Sequence, residues 1–215
     1  TDSASNSITV DANDISVDGS GAVTVTGQDL SSLSDGHITV TMALKDEAGN
    51  SGAVTDTTVL DQTPPTVTLD DLLSNDATPE LSGTIDDKDA TITVTVDGVD
   101  YSATNNGDGT WTLADDTLPT LADGAHSITV TATDPAGNTG TDSATLTIDT
   151  TGPSTGDGQN SIAFDDGGDE LLSADEAQSV TLSGQVEAGA TIVSIVITDS
   201  ASNSITVDAN DISVD

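Results

Sequence analysis

The sequence predicts an all-β protein whose sandwich domains follow one another in a linear array. The first observation is alternation, since apolar residues alternate with threonine in the runs 23–26, 91–96 and 128–133. Period-two alternation of β-branched residues is typical of half-buried strands. The second observation is that turn signals rich in Gly, Asp and Asn separate these short runs. The third observation is an internal repeat, which sets the order of the domains.

The internal repeat joins the two ends of the sequence. Residues 1–18 read TDSASNSITVDANDISVD, and residues 198–215 read the same. The two copies begin at Thr1 and Thr198, which gives a period of 197 residues. A match of this length is not a chance event, so the sequence covers slightly more than one period of an array.

A weaker repeat inside the period indicates two related domains, X and Y. KDEAGNSGAVTDTTVLDQTPP at 45–65 resembles TDPAGNTGTDSATLTIDTTGP at 133–153. LSGTIDDKDATITVTVDG at 81–98 resembles LSGQVEAGATIVSIVITD at 182–199. The predicted segments are the C-terminal part of one X domain (1–64), a complete Y domain (65–152) and the N-terminal part of the next X domain (153–215).

Seven short strands can be assigned in domain Y, and turns such as Asp97-Gly98 separate them. Seven strands in about 90 residues are typical of an immunoglobulin-like sandwich. The chain has no cysteine, so aliphatic packing must carry the core. We expect Trp111 and Tyr101 to add bulk to the core of Y, and Phe164 to the core of X. The predicted strands are Thr66–Leu69, Leu81–Ile85, Thr91–Val96, Val99–Thr104, Thr110–Leu113, Ser127–Thr133 and Ala144–Ile148.

Composition excludes several classes of function. The 38 acidic and 2 basic residues give a formal net charge of −36, which repels nucleic acid and anionic lipid. No apolar run is long enough for direct membrane insertion. Without cysteine there is no zinc-thiolate site and no thiol nucleophile. We interpret His37 and His126 as surface or strand-edge residues. No carboxylate pair is marked out by an apolar pocket, so we expect no enzyme.

Acidic residues concentrate in the loops at both ends of each predicted sandwich. Domains that abut would press carboxylates together, and Ca²⁺ is the cation that suits oxygen ligands in a flexible geometry. The expected ligands at the X-to-Y junction are Asp61, Asp87, Asp89 and Asp134, with Asn138 as a further candidate. The expected ligands at the Y-to-X junction are Asp149, Glu187 and Asp46, with Asn50 as a further candidate. Asp46 belongs to the first X copy, so the second set is incomplete here. The alternative is that the acids form a solvated surface.

The order of these motifs resembles a known family. Tandem domains that carry Asp-x-Ala-Gly-Asn and end in Asp-Thr-Thr-x-Pro resemble the bacterial Ig-like extender repeats of giant calcium-dependent (RTX-type) adhesins. Residues 169–192 also resemble the start of such a repeat. The resemblance implies type I secretion, an extracellular place on the surface of Gram-negative bacteria, and a spacer stiffened by Ca²⁺ between neighbouring repeats. The spacer would project a ligand-binding tip for adhesion and biofilm formation.

Two alternative functions stay open from the sequence. One is a module that binds a glycan or a host surface, and another is an acidic calcium buffer or mineral-binding protein. Residues 165–176 fit an EF-hand loop superficially, but Glu170 replaces the glycine expected at position 6, so we interpret them as an acidic loop.

The two parts of X also suggest head-to-tail self-association, in which one molecule completes the X domain of another.

Overall fold

The structure is a computed structural model that describes residues 1–154 and 158–214. The prediction of an all-β protein is confirmed, because the helices among these residues are short 3₁₀ turns: Ala12–Asp14, Glu176–Gln178 and Ala209–Asp211. The strands are β1 Ile15–Val17, β2 Val23–Val25, β3 Gly36–Lys45, β4 Ser51–Leu60, β5 Leu72–Ser74, β6 Leu81–Thr84, β7 Thr91–Val96, β8 Val99–Asn105, β9 Thr110–Leu113, β10 Gly124–Thr133, β11 Thr139–Ile148, β12 Ser161–Phe164, β13 Leu182–Gln185, β14 Val196–Thr198 and β15 Ser204–Thr206.

The chain divides into two compact units. The first unit is Thr1–Thr150 and holds β1 to β11, and the second is Thr151–Asp215 and holds β12 to β15. The C-terminal part of X and residues 65–150 of domain Y therefore lie in the first unit. The division between X and Y at residue 64 remains a prediction.

The strands of Y form a two-layer sandwich. Their order is β5-β11-β10-β7-β8-β9-β6. β8 pairs with β7 over Val99–Ala103 and then with β9 through Thr104 and Asn105, so it passes from one layer to the other. All neighbours in this order are antiparallel except β5, which runs parallel to β11. The result is the immunoglobulin-like arrangement that the strand count predicted.

The core of Y lies between the two layers. Trp111 and Leu81 come from one layer, Val94, Val130 and Leu146 come from the other, and each is at most 2% exposed. Burying each such aliphatic side chain contributes about 1.5–3 kcal/mol. Trp111 is fully buried, as the sequence predicted, and its Nε1 donates a hydrogen bond to the carbonyl of Thr68 at 3.0 Å. Tyr101 is half-buried against the same cluster.

The first strand of Y differs from the prediction. In place of a strand over Thr66–Leu69 there is one isolated bridge, Val67 to Ile85. A close approach fixes this segment, since a Cβ at Gly83 would lie 2.0 Å from the carbonyl oxygen of Thr68. The first segment then continues to β5, which the sequence analysis did not assign and which pairs with β11. Such a short strand carries no alternation of its own to reveal it.

The two parts of X are incomplete sandwiches. β3 and β4 form a hairpin of the same length as β10 and β11, but Val40 is 63% exposed whereas Ile128, at the same place in the Y hairpin, is 1% exposed. β6 helps to cover this face in Y, and its sequence counterpart β13 belongs to the second unit. The expectation that Phe164 packs in a core is wrong, since Phe164 is 43% exposed. The four strands of the second unit pair only as the hairpin-like sheets β12-β13 and β14-β15.

Candidate functional site at the interdomain linker

The linker between X and Y, residues 61–66, is fastened to domain X by one carboxylate. Asp35 Oδ1 accepts a hydrogen bond from the backbone N–H of Gln62 at 2.9 Å, and its Oδ2 accepts one from Thr63 Oγ1 at 2.5 Å. The pKa of Asp35 lies below its ordinary value, first because of the Thr63 hydroxyl. The turn Asp35-Gly36 at the start of β3 therefore holds the exit of its own domain.

The same device recurs at the exit of Y. Asp123 stands in the equivalent Asp-Gly turn before β10. Its Oδ1 accepts hydrogen bonds from the backbone N–H of Thr150 at 3.0 Å and from Thr150 Oγ1 at 2.7 Å. In both domains, therefore, an acid in this turn bonds to the second residue after the last strand.

Domain Y holds the other half of the linker. Asp86 Oδ1 accepts a hydrogen bond from the N–H of Thr66 at 2.7 Å, and the N–H of Asp86 donates to the Thr66 carbonyl at 3.1 Å. Asn138 Nδ2 donates to the carbonyl of Asp61 at 3.1 Å. Pro65 lies against β11 so closely that a Cβ at Gly140 would be 1.8 Å from its carbonyl oxygen. The linker is thus bonded to the domains on both sides.

Asp134 and Asn138, two of the predicted calcium ligands, organise the loop between β10 and β11. Asp134 Oδ1 accepts from the Asn138 N–H and Oδ2 accepts from Asn138 Nδ2, both at 2.8 Å. Asp134 is buried, and burial by itself raises the pKa of its carboxyl. The hydrogen bonds from Asn138 and from the backbone N–H groups of Gly137 and Ala136 together outweigh burial, so the pKa lies below its ordinary value. The carboxylate of Asp134 is therefore ionised and already engaged.

This closed loop occurs four times among the residues that the structure describes. In each case an Asn four residues after an Asp returns both its N–H and its side-chain amide to the Asp carboxylate at 2.8 Å. The residue before the Asn has a positive φ of 68° to 96°, which favours glycine. The pairs are Asp2 and Asn6, Asp46 and Asn50, Asp134 and Asn138, and Asp199 and Asn203. The motif Asp-x-Ala-Gly/Ser-Asn thus closes a short loop, which joins two paired strands in three of the four copies.

The other three ligands predicted for this junction line one pocket. The pocket has a volume of about 410 Å³, and it is open to solvent. Asp87 is half-buried, and its Oδ1 accepts the N–H of Asp89 at 2.8 Å. The exposed carboxylate of Asp89 meets Lys88 Nζ at 2.6 Å. The lining residues are Val59, Asp61, Asp87, Asp89, Pro135 and Ala136.

The carboxylates of this pocket are ligands of the kind that a hard cation takes. Three carboxylates from the linker and the loop after β6 face one open space, and carboxylate oxygens are the ligands that Ca²⁺ takes. Within the described residues, no three acidic or histidine side chains already stand in metal-binding geometry. A cation here would require the side chains of Asp61, Asp87 and Asp89 to converge on it.

The residues predicted as ligands at the Y-to-X junction make different local contacts. Asp46 and Asn50 close the hairpin of β3 and β4, at the end opposite to Leu60 and the linker. The N–H of Asp149 donates to the Ser74 carbonyl at 2.9 Å in the first unit. In the second unit, Glu187 Oε2 accepts from the Ser154 N–H at 3.2 Å and from Asn160 Nδ2 at 3.0 Å. A shared site for these residues remains a prediction.

Glu187 has a counterpart in Y, Asp86, which the ligand prediction did not include. Glu187 follows the Leu-Ser-Gly strand of X as Asp86 follows that of Y, and each accepts the N–H of the residue after the linker proline. Asp86 therefore holds the start of Y. The signal for it was the alignment of 81–98 with 182–199, which places an acid at the same point in both domains.

His126 is a strand-edge residue whose imidazole is fixed on both sides. Its Nδ1 lies 2.6 Å from Asp97 Oδ2, and its Nε2 lies 2.8 Å from the carbonyl oxygen of Ala122. The pKa of His126 is raised, first by the Ala122 carbonyl and then by Asp97. Hydrogen bonding to His126 lowers the pKa of Asp97 in turn. Two acceptors favour the doubly protonated ring, so this pair ties the β7–β8 turn to β10.

Comparison with known proteins identifies the domain type. Residues 55–150 match a family model described as bacterial Ig-like domain. The comparison with curated proteins gave no match. No helix among the described residues has the length and apolar character needed to cross a bilayer.

Several solved structures are similar to the chain. A tetra-tandem repeat from the extending region of a large adhesion protein is 28% identical, with 89% of this chain and 53% of that chain covered and a TM-score of 0.39. A 1.5-MDa bacterial ice-binding adhesin studied for host cell surface retention is 24% identical, with 70% and 52% covered and a TM-score of 0.40. A Ca²⁺-stabilised ice-binding adhesin of an Antarctic bacterium is 20% identical, with 89% and 59% covered and a TM-score of 0.34.

The present chain thus spans between half and three fifths of the length of these three structures. The sandwich topology of Y agrees with the family match over the same residues. Over residues 55–150 the chain is similar to the bacterial Ig-like domain family.

Proposed function

We propose that this chain is part of the extender of a cell-surface adhesin, a spacer that holds a ligand-binding tip away from the cell. The observation that carries the proposal is the linker: Asp35 of X and Asp86 and Asn138 of Y all bond to residues 61–66. A linker bonded by both neighbours resists hinging. A repeat with such linkers is suited to add length to a spacer rather than to bind or convert a small molecule.

The dimensions fit a spacer. A ten-residue strand such as β10 spans about 33 Å, so each sandwich adds a length of that order. Domains joined end to end by short linkers add these lengths, and the identical copies 197 residues apart indicate that the array continues. Its direct partners are then the neighbouring repeats of the same chain.

We further propose that Ca²⁺ stiffens the X-to-Y junction through Asp61, Asp87 and Asp89. Bringing these carboxylates together without a cation is unfavourable, and a shared ion would tie the linker to the loop after β6. Asp134 and Asn138 would act behind this site by fixing the β10–β11 loop that borders the pocket. The second set, Asp149, Glu187, Asp46 and Asn50, is proposed for the Y-to-X junction of a continuous array.

The Ca²⁺ concentration outside cells is high enough to fill the weak sites that extracellular modules use. Such modules bind with dissociation constants of about 10⁻⁴–10⁻³ M, so the junction would be loose in cytosol and locked outside. At ten times the dissociation constant, one site adds about 1.4 kcal/mol to stability. Type I secretion, attachment at the bacterial surface and a role in biofilm formation belong to the proposal through the family resemblance. The adhesin names of the similar structures agree with it but, at TM-scores below 0.5, carry none of the argument.

Titration calorimetry of the chain with CaCl₂ tests the calcium site. The double variant Asp87→Asn/Asp89→Asn removes two proposed ligands and two charges. The control Asp70→Asn/Asp115→Asn removes two charges from exposed acids outside the pocket. We expect saturable binding that the first variant weakens at least about tenfold and the control changes by less than about threefold. Equal weakening by both variants would mean that Ca²⁺ is attracted only by the overall surface charge and binds at no specific site.

The burial of Trp111 bears on the glycan-binding alternative. A fully buried indole, hydrogen-bonded to Thr68, offers no stacking platform to a sugar.

A further inference from the structure

One of the two basic residues of this acidic chain lies in the proposed calcium pocket. The sequence has 38 acidic residues and two lysines, Lys45 and Lys88. Lys88 stands in the loop after β6, between Asp87 and Asp89, and both of these acids line the pocket. Its Nζ lies 2.6 Å from Asp89 Oδ2. An ammonium group is therefore already paired with a carboxylate that is proposed to bind Ca²⁺.

The corresponding loop of X has neither the lysine nor the two acids beside it. Between the Leu-Ser-Gly strand and the following Ala-Thr, Y reads Asp-Asp-Lys-Asp at 86–89, whereas X reads Glu-Ala-Gly at 187–189. Glu187 matches Asp86, which bonds to the linker at Thr66. The other two residues of the X loop carry no charge. The lysine and the two pocket acids are thus present together in Y and absent together from X, which indicates that they serve one site.

The ion pair of Lys88 with Asp89 is easily exchanged. The side chain of Lys88 is 71% exposed and that of Asp89 is 60% exposed, and a pair so open to water adds little to stability. The loop does not depend on the pair for its shape, because the N–H of Asp89 donates to Asp87 Oδ1 at 2.8 Å. Asp89 can therefore change its partner while the loop keeps its backbone hydrogen bonds.

Lys88 would oppose a divalent cation in the pocket in two ways. Asp89 has to give up the ammonium group before its Oδ2 can turn to the ion. The positive charge of Lys88 then stays on the same short loop as the ion, and charges of the same sign repel one another. Among the described residues no other lysine lies within ion-pair distance of Asp61, Asp87 or Asp89.

We propose that Lys88 is a built-in competitor of Ca²⁺ for Asp89, and that it sets the Ca²⁺ concentration at which the X-to-Y junction stiffens. In the absence of Ca²⁺ the ammonium group neutralises one carboxylate of the pocket. When Ca²⁺ binds, Asp89 exchanges Lys88 for the ion. The inference rests on the calcium site of the proposed function, and it names the residue that keeps this site weak.

Titration calorimetry of the full chain with CaCl₂ is the experiment. Lys88→Gln removes the competing charge, and we expect it to tighten Ca²⁺ binding by at least about threefold. Lys88→Arg keeps the charge and should stay within about twofold of the unmodified chain. Lys45→Gln is the matched control: it removes the other lysine, at the end of the β3–β4 hairpin opposite to the linker, and should also stay within about twofold.

Two further measurements separate competition from a change in loop shape. Added KCl screens exposed charges, so it should narrow the difference between Lys88→Gln and the unmodified chain. In NMR spectra, CaCl₂ should shift the side-chain signals of Lys88 and leave those of Lys45 in place. Both lysines are exposed, so we expect every variant to fold, and the unfolding transition in chelator checks this.

Four results would overturn the proposal. Binding to Lys88→Gln that is no tighter than binding to the unmodified chain would end the competition and leave the calcium site standing. Equal tightening by Lys88→Gln and Lys45→Gln would assign the effect to net charge. Tightening that Lys88→Arg shares would assign it to the shape of the loop. An absence of saturable binding in both the unmodified chain and Lys88→Gln would remove the calcium site itself, and the competition with it.

Discussion

Asn138 of domain Y donates a hydrogen bond from its Nδ2 to the backbone carbonyl of Asp61 in the linker, at 3.1 Å. The same nitrogen also donates to Asp134 Oδ2 at 2.8 Å. One side-chain amide therefore closes the β10–β11 loop and fastens the preceding domain to it. The Asp-x-Ala-Gly-Asn motif has a local role in every copy and, in this copy, an interdomain role.

Replacing Asn138 with Ala should loosen the linker as well as the loop. We expect faster hydrogen exchange at residues 61–63 and a lower midpoint of thermal unfolding. Asn50→Ala makes the same change in the closed loop of X, which lies at the far end of its hairpin from the linker. If Asn50→Ala speeds exchange at residues 61–63 as much as Asn138→Ala does, the contact with Asp61 is not what holds the linker.

Gly140→Ala should destabilise Y because the new Cβ would lie 1.8 Å from the carbonyl oxygen of Pro65, a backbone atom that cannot move aside cheaply. Gly52 holds the same place in the X motif, and nothing lies within 4 Å of its Cβ position. Gly52→Ala should therefore be neutral or slightly stabilising. Chemical denaturation of both variants measures the difference, and equal effects would contradict the packing of the linker on β11.

The His126–Asp97 pair predicts a pH dependence of stability. The pKa of His126 is raised in the folded state, so its contribution is complete below the unfolded value of about 6.5 and is lost as pH rises through the folded value. His126→Gln should therefore lower the unfolding midpoint most below about pH 6.5 and least in alkali. His37→Gln, at an exposed position of β3, is the control. A deficit for His126→Gln that grows with pH would contradict the assignment.

Trp111→Ala should cost about 3–5 kcal/mol of unfolding free energy, because it empties the centre of the Y core and leaves the Thr68 carbonyl without its donor. Trp111→Phe should cost less, since it keeps most of the volume. Val99→Ala, at a side chain 55% exposed, should change stability by no more than about 0.5 kcal/mol. A small loss for Trp111→Ala would mean that the indole does not support the core.

The identical 18-residue copies show how far sequence determines this structure. Asp2–Asn6 and Asp199–Asn203 form the same closed loop, with φ of 68° at both Ser5 and Ser202. Ser204–Thr206 is a strand because Val196–Thr198 is present to pair with it, whereas its first copy at residues 7–9 forms no strand. Local hydrogen bonds can be predicted from local sequence, but a strand needs its partner.

The candidate site, too, was predicted from the sequence only in part. The sequence analysis placed Asp61, Asp87 and Asp89 at one junction because strand order sets which loops meet, and they line one pocket. It could not distinguish the exposed carboxylates from Asp134, which is buried and engaged by Asn138. It also gave no role to Asp35, because the contact from that turn to Gln62 and Thr63 joins residues that lie 27 and 28 positions apart.

Small-angle X-ray scattering of a chain with two full 197-residue periods, in millimolar Ca²⁺ and in chelator, tests the extender most directly. We predict a larger maximum dimension in Ca²⁺, a loss of this gain in Asp87→Asn/Asp89→Asn, and its retention in Asp70→Asn/Asp115→Asn. A shape that is the same with and without Ca²⁺, in the unmodified chain and in both variants, would contradict a calcium-stiffened junction.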